Sequence, residues 1–161
     1  MTDSVGELED KIIDINSRIW GDWRTMNDEE AYAPFSHVEK VFSMIVYMDM
    51  EIQNGGFEQW IWNPTGMYVR ETRDGLIEIG AAKVAEMVDQ AVTVFPGGFP
   101  GREWQERDRQ VRALSDGARA KLYELDGPYA DARYDLYVKS LRYWDEHGTF
   151  DASDAGNAGS G

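Results

Sequence analysis

The chain contains no cysteine, which excludes disulfide bonds, thiolate nucleophiles and cysteine-based zinc sites. Its two histidines, His37 and His147, do not stand in an HExxH or HxxxH pair of metal ligands. No apolar run approaches the roughly 20 residues that a membrane span needs, and the first residues, MTDSVGELEDK, lack the basic and apolar regions of a signal peptide. These absences predict a cytoplasmic protein that holds no metal ion and no other cofactor.

Sequence motifs of the common enzyme classes are also missing. GxSxG, the P-loop and GxGxxG do not occur, and no Cys–His pair can be formed. The glycine-rich stretch FPGGFPG, residues 95–101, is interrupted by proline and phenylalanine and follows no predicted strand, so it indicates a loop and not a phosphate-binding cradle. We therefore predict that the protein is not an enzyme.

What the chain does have is negative charge, which is unevenly spread. It carries 30 acidic and 16 basic residues, a formal net charge of −14. Residues 1–63 hold thirteen acids and four bases, residues 64–144 hold thirteen and twelve, and residues 145–161 hold four acids and no base. Direct binding to nucleic acid is disfavoured, because phosphates need a basic surface. A basic partner is favoured, with a solvated acidic surface that only keeps the protein soluble as the alternative.

Apolar residues recur every three or four positions along most of the chain, which predicts helices. Capping boxes, Ser4 with Glu7 and Ser36 with Glu39, indicate where the first two begin. The expected helices cover 4–19, 36 to a stop at 54–56, 57–63, 72–95, 102–114, 115–125 and 129–146, with a turn at 126–128. Because no series of alternating strands appears, we predict an all-α, single-domain bundle of about six to seven helices. A short hairpin near residues 65–71 is the one local alternative.

The chain divides into three parts in this prediction. Residues 1–35 form an acidic helix and a connection that packs on the core, and residues 36–147 form the main helical domain. Residues 148–161 are small and polar, which indicates a disordered tail.

The stretch NGGFEQWIWN, residues 54–63, is the most distinctive in the chain. Asn54 and the two glycines after it can adopt the left-handed conformations of a sharp turn, and the aromatic residues that follow can hold this turn against the core. Asp49 and Glu51 precede it, but carboxylates two positions apart on a helix point in different directions. We interpret the corner as mainly structural, with a cation site at Asp49 and Glu51 as the alternative.

These residues resemble a known family. They are similar to the signature of the bacterial DNA-mimic protein domain family. The matching positions are Asp49, Glu51, Asn54, Gly55, Gly56, Phe57, Gln59 and Asn63. Ile79-Gly80-Ala81 and Leu125-Asp126 also resemble that family, and the resemblance covers roughly residues 36–146. It implies an acidic, all-helical, dimeric protein without catalytic activity, which presents carboxylates as DNA presents phosphates and occupies the DNA-binding surface of a transcription factor. It also implies that the signature residues mainly hold the fold together.

Our leading hypothesis is therefore a non-enzymatic acidic regulator that competes with DNA for a basic DNA-binding protein, such as a transcription factor or a nuclease. We expect it to bind neither nucleic acid nor membranes directly, and the resemblance implies a homodimer. Helical acids one turn apart are sparser than phosphates, so several helices or two subunits are needed to imitate a duplex. The acids predicted to form this surface are Glu7, Asp10, Asp14, Asp28, Glu29, Glu30, Asp145 and Glu146.

Two other hypotheses remain open. One is a protein inhibitor or immunity-like module that acts through shape and aromatic contacts, in which Trp62 or Tyr68 would contact the partner. The other is a small metal-dependent enzyme that uses Asp49 and Glu51. Neutralising the acids of the first helix separates the first two hypotheses, and metal analysis tests the third.

Overall fold

The structure is a computed structural model that describes residues 2–21 and 29–150. Within these ranges it holds seven α-helices, two short 3-10 helices and no strand. The α-helices are α1 (Val5–Trp20), α2 (His37–Trp62), α3 (Val69–Glu78), α4 (Ala82–Val92), α5 (Trp104–Arg112), α6 (Asp116–Glu124) and α7 (Asp126–His147), and the 3-10 helices are Glu29–Tyr32 and Pro64–Tyr68. The all-α prediction is confirmed. The hairpin considered for residues 65–71 is wrong, because the second 3-10 helix leads directly into α3.

The first two helices begin where the sequence predicts. The Ser4 hydroxyl accepts a hydrogen bond from the backbone N–H of Glu7 (3.3 Å), and the Glu7 carboxylate accepts one from the backbone N–H of Ser4 (2.7 Å). Ser36 and Glu39 repeat this arrangement at the start of α2, with distances of 3.2 and 2.7 Å. Each box satisfies N–H groups that have no partner inside the helix, so both helix starts are encoded locally.

The central helix of the bundle is α2. It contacts α1, α3, α5, α6 and α7, and every residue from Val41 to Val46 is buried. Although α2 is 26 residues long, no helix among the described residues combines the length and apolarity that crossing a membrane requires. A helix that is apolar nearly all round is expected at the centre of a bundle, where other helices cover each of its faces.

Two predicted helix boundaries are wrong. The single helix expected over residues 72–95 is divided into α3 and α4 at Gly80, whose φ is +84°. A glycine with positive φ commonly ends a helix in this way, and the Gly80 N–H donates to the carbonyl of Ile77 (3.0 Å). The turn expected at residues 126–128 is instead the first turn of α7. Pro128 is tolerated there because an N–H at that position would have no partner in the helix.

A buried arginine ties α5 to the end of α2. Arg107 is 1% exposed, and its guanidinium donates to the backbone carbonyls of Ile61 (2.9 Å), Asn63 (3.2 Å), Gly101 (3.3 Å) and Arg102 (2.6 Å). Burial lowers the pKa of Arg107. Two carbonyls at the end of α2 and two in the loop before α5 therefore accept hydrogen bonds from one side chain.

Residues near the carboxyl end of α7 also pack on the bundle. The Phe150 ring lies 4.9 Å from the ring of Trp144 and beneath the guanidinium of Arg18, which is 3.8 Å from the Phe150 ring centre. Of the tail predicted over residues 148–161, the part from residue 151 onward lies outside the described residues.

Candidate partner-binding surface

Three of the acids predicted for the partner surface form a row on α1. Leu8 and Ile12 are buried, and successive acids lie three and four positions apart, so Glu7, Asp10 and Asp14 share the exposed face opposite the core. Asp10 and Asp14 form no hydrogen bond or ion pair with any residue that the structure describes. Their charges are therefore available to a partner.

Two other charged groups at the start of α1, Glu7 and Lys11, bind residues close to them in sequence. The backbone N–H and then the hydroxyl of Ser4 donate to Glu7 and lower the pKa of its carboxyl. Lys11 forms an ion pair with Asp3 (2.6 Å), and this hydrogen bond raises the pKa of Lys11. The lysine on this helix thus already has an acidic partner, which leaves the row largely unneutralised.

Helix α7 lies beside α1 and runs in the same direction. Near the start of α1, Glu9 accepts a hydrogen bond from Arg133 (3.2 Å), which lies in the first half of α7. Near the end of α1, Arg18 stacks on Phe150, just beyond the end of α7. The carboxyl ends of the two helices are therefore neighbours, although they come from opposite ends of the chain.

This arrangement brings some of the predicted acids together and leaves others apart. Asp14, Asp145 and Glu146 line one groove between α1 and α7. Glu7 and Asp10 lie on the outer face of α1, beside the groove but not within it. Glu30 is exposed on the first 3-10 helix and does not line the groove. Asp28 and the side chain of Glu29 lie outside what the structure describes.

Two large apolar side chains on this side of α7 are exposed and do not belong to the core. Tyr134 is 40% exposed and Val138 is 38% exposed. On α7 these residues and Leu141 form an apolar stripe about 150° away from the fully buried stripe of Leu136 and Ser140. A helical-wheel comparison of the two stripes is the signal that could have identified this second apolar surface.

The middle of the chain presents a different, mixed-charge surface. Arg73 binds both carboxylate oxygens of Asp89 at 2.9 and 3.0 Å, and Arg119 forms an ion pair with Glu58. Neighbouring charges there neutralise one another.

The first signature carboxyl group, that of Asp49, is buried in a network with α7. It accepts hydrogen bonds from the hydroxyls of Tyr129 (2.6 Å) and Tyr137 (2.6 Å) and from the amide of Gln53 (2.7 Å), and Arg133 lies 3.5 Å away. Burial is the main cause that raises the pKa of Tyr129 and Tyr137, and the nearby Asp49 adds to it. Three of these four partners, Tyr129, Tyr137 and Arg133, lie on α7, so these contacts join α2 to α7.

The second carboxylate of the signature, that of Glu51, has different hydrogen-bond partners from Asp49. Glu51 accepts hydrogen bonds from the side-chain amides of Gln59 (2.9 Å) and Asn63 (2.7 Å), across the Gly55-Gly56 bend. Asp49 and Glu51 thus do not converge on one point. Among the described residues, no group of three or more His, Asp or Glu is placed to hold a metal ion.

The bend itself divides α2 into two helical segments. Gly55 has φ −157° and ψ 20°, and Gly56 has φ +77° and ψ −175°, a conformation that is essentially restricted to glycine. The carboxylate of Asp126 accepts a hydrogen bond from the Phe57 N–H (3.4 Å), at the start of the second segment. Phe57 is fully buried, and its ring packs edge-on against Tyr129 (5.7 Å). The signature glycines therefore let α2 change direction where α7 begins.

The chain was compared with known proteins in three ways. A family model described as "DMP19-like protein" matches residues 33–147. Neither the search of curated proteins nor the search of solved structures gives a match. The matched residues include the bend and all of α2 to α7, whereas α1 lies before them.

Proposed function

The chain belongs to the family of DMP19-like proteins, a DNA-mimic family, and from this premise we propose that it is a non-enzymatic regulator that competes with DNA for a basic DNA-binding protein. A transcription factor or a nuclease is the kind of partner that we infer, and the cytoplasm is where we expect it to act. The signature residues would support the fold, and the acids of α1 and α7 would contact the partner.

The observation that carries this proposal is the row of exposed carboxylates on α1. Asp10 and Asp14 are one helical turn apart and have no basic neighbour bound to them among the described residues. One strand of a duplex carries a charge about every 3.4 Å along the axis, whereas a helical row carries one about every 5.4 Å. A single row is therefore too sparse, and Asp145 and Glu146 on the neighbouring helix add two more carboxylates near Asp14.

A homodimer would double this surface, and we include it in the proposal. Two copies of the α1 row could follow two phosphate strands, as the sparse spacing of charges in one copy requires. Sedimentation of the full chain measures whether such a dimer exists in solution.

A second candidate function is an inhibitor that binds through aromatic contacts. Trp62 is 39% exposed at the end of α2, and Trp104 is 49% exposed at the start of α5. The Trp62 ring is oriented by a hydrogen bond to Asp108 (2.9 Å), as a preorganised contact residue would be. Tyr68, in contrast, is 6% exposed, so its predicted contact with a partner is wrong.

The test compares two triple variants that change the net charge equally. The first neutralises the proposed surface with Asp10→Asn, Asp14→Asn and Asp145→Asn. The control neutralises exposed acids on other helices or loops, for which the structure gives no bound partner: Glu86→Gln, Glu103→Gln and Glu124→Gln. The tagged full chain captures proteins from a cell lysate at about 50 mM salt, where electrostatic attraction is strong, and bound proteins are eluted with salt or with duplex DNA.

We expect the wild type and the control to retain DNA-binding proteins that duplex DNA releases, and the surface variant to retain far less of them. An equal loss of retention in both triple variants would show that total charge, and not this surface, causes binding. A partner that resists salt, ignores DNA and is lost on Trp62→Ala would favour the aromatic inhibitor instead.

A further inference from the structure

The groove between α1 and α7 has an apolar floor as well as an acidic rim. Its volume is about 610 Å³, and Leu8 and Ile15 of α1 face Val138 and Leu141 of α7 across it. Two parallel helices line it over residues 8–15 of α1 and 138–146 of α7, which span about 10–12 Å at 1.5 Å per residue. A groove of this length can receive about two turns of another helix.

Two exposed apolar side chains of α7 lie in this groove or next to it. Val138 is 38% exposed, and Tyr134, one turn earlier on the same face of α7, is 40% exposed. Scattered exposed apolar residues are ordinary, but Val138 belongs to the apolar floor itself, and Tyr134 lies next to it on the same face of α7. Phosphate mimicry alone does not require such a floor, because a phosphate row offers a protein only charge and hydrogen-bond acceptors.

The charge on the rim indicates what would cover the floor. Asp14, Asp145 and Glu146 line the groove together with Asp3, against the two bases Lys11 and Arg142. Lys11 is already bound to Asp3, so the remaining rim carries three carboxylates and one guanidinium. A segment with an apolar stripe and basic flanks is complementary to this pattern.

We propose that this groove binds a basic amphipathic helix of the partner, with the apolar stripe of that helix on Val138 and its neighbours and the basic residues on Asp14, Asp145 and Glu146. The proposal rests on the proposed function for the nature of the partner, and it adds an apolar contact that salt does not screen. Because α1 lies before the residues that match the family, half of this groove is built from outside the matched region.

The test uses two synthetic peptides as probes with the full chain. One is a helix of about 18 residues with leucines on one face and lysines on the other, and the second has the same composition with the leucines distributed around the helix. Fluorescence anisotropy measures the affinity of each peptide at about 50 mM and about 500 mM salt, since the higher concentration screens exposed charges.

Two pairs of variants locate the site. Val138→Ser is matched by Ile77→Ser, a change at another exposed apolar residue, which is 49% exposed on α3. Tyr134→Ser is matched by Tyr123→Ser, at a residue 78% exposed on α6. All four side chains are exposed enough that their replacement should leave the fold intact, which circular dichroism verifies.

We expect the amphipathic peptide to bind at least about tenfold more tightly than the redistributed one at high salt, because only its leucines can cover the floor together. Val138→Ser and Tyr134→Ser should each weaken its binding by about three- to tenfold, and the matched variants should change it by less than about twofold. Asp14→Asn with Asp145→Asn should weaken binding at low salt only.

Equal binding of the two peptides, no binding of either, or equal effects of Val138→Ser and Ile77→Ser would overturn the groove proposal. Sedimentation adds one more such outcome: a dimer that Val138→Ser converts to a monomer would show that a second copy covers the groove. The proposed function fails separately, if the captured DNA-binding proteins are not released by DNA. In that case selective binding of the amphipathic peptide would still support the groove.

Discussion

Replacing Gly56 with alanine should destabilise the protein by about 3 kcal/mol, for two reasons that can be separated. The first is conformational, because a residue with a side chain is strained at φ +77° and ψ −175°, at a cost of about 1–3 kcal/mol. The second is steric, because a Cβ at this position would lie 2.7 Å from one carboxylate oxygen of Asp126 and 2.9 Å from the other. Asp126 would have to move away from the Phe57 N–H, and the loss of such a cap costs about 1 kcal/mol.

The assay is urea unfolding, followed by tryptophan fluorescence and circular dichroism. With a denaturant dependence of about 2 kcal/mol per molar, a loss of about 3 kcal/mol lowers the unfolding midpoint by about 1.5 M urea. In thermal unfolding the same loss lowers Tm by about 6–12 °C for a chain of this length. Such a loss is a large part of the stability of a typical domain, which is about 5–15 kcal/mol.

Gly80→Ala is the matched control, since Gly80 has φ +84° but a Cβ there would meet no atom within 4 Å. It should cost only the conformational part, about 1 kcal/mol. In an Asp126→Ala background, Gly56→Ala should cost about 1 kcal/mol less than in the wild type, because the colliding carboxylate is gone. Equal losses for Gly56→Ala and Gly80→Ala, or full additivity with Asp126→Ala, would refute the close approach as the reason for glycine.

Asp49→Asn should destabilise the protein by about 2–4 kcal/mol, because it disrupts a buried hydrogen-bond network. Asp10→Asn on the surface should change stability by less than about 0.5 kcal/mol. If the wild type instead contains a metal ion or has an activity that Asp49→Asn removes, the enzyme hypothesis is favoured. The pKa of Glu78 is lowered, first by the hydrogen bond from the Tyr143 hydroxyl and then by His37. The ionised carboxylate therefore stabilises the fold at pH values above its unfolded-state pKa near 4.5. This stabilisation is lost as the pH falls through the lower folded-state pKa. Urea titrations at a series of pH values should therefore show the wild type more stable than Glu78→Gln at neutral pH and the difference shrinking on acidification; a difference that grows below pH 4.5 would contradict this assignment.

The sequence predicted most of the helices because their signals are local. The capping residues Ser4 and Ser36 act within one turn of each helix start, and both accept the expected hydrogen bond. Ser115 caps α6 in the same way. The predicted stop at residues 54–56 is confirmed as the bend of α2. The prediction failed at Gly80, where the apolar periodicity of α3 continues into α4 and conceals the break. It also failed at Pro128, since Asp-Gly-Pro is compatible with both a turn and a first helical turn.

Only part of the candidate partner-binding surface could be predicted from the sequence. The row of Asp10 and Asp14 follows from the amphipathic pattern of α1. Apolar residues every three or four positions bury one face of the helix, so the polar residues between them lie on the exposed face. Their proximity to Asp145 and Glu146 could not be predicted, because it depends on how α1 packs against α7. No pattern within a few residues specifies that contact between the two ends of the chain.

By itself, then, the sequence determined the helical class, the helix starts, the bend at the glycine pair, and the location of the negative charge along the chain. Only the tertiary structure decided which groups meet: Asp126 with the amide of Phe57, Arg107 with four carbonyls, and the acids of α1 with those of α7. It also decided that Tyr134 and Val138 remain uncovered. The physical reason is that hydrogen bonds within a turn depend on neighbouring residues, whereas burial and distant contacts depend on every helix that packs against a given side chain.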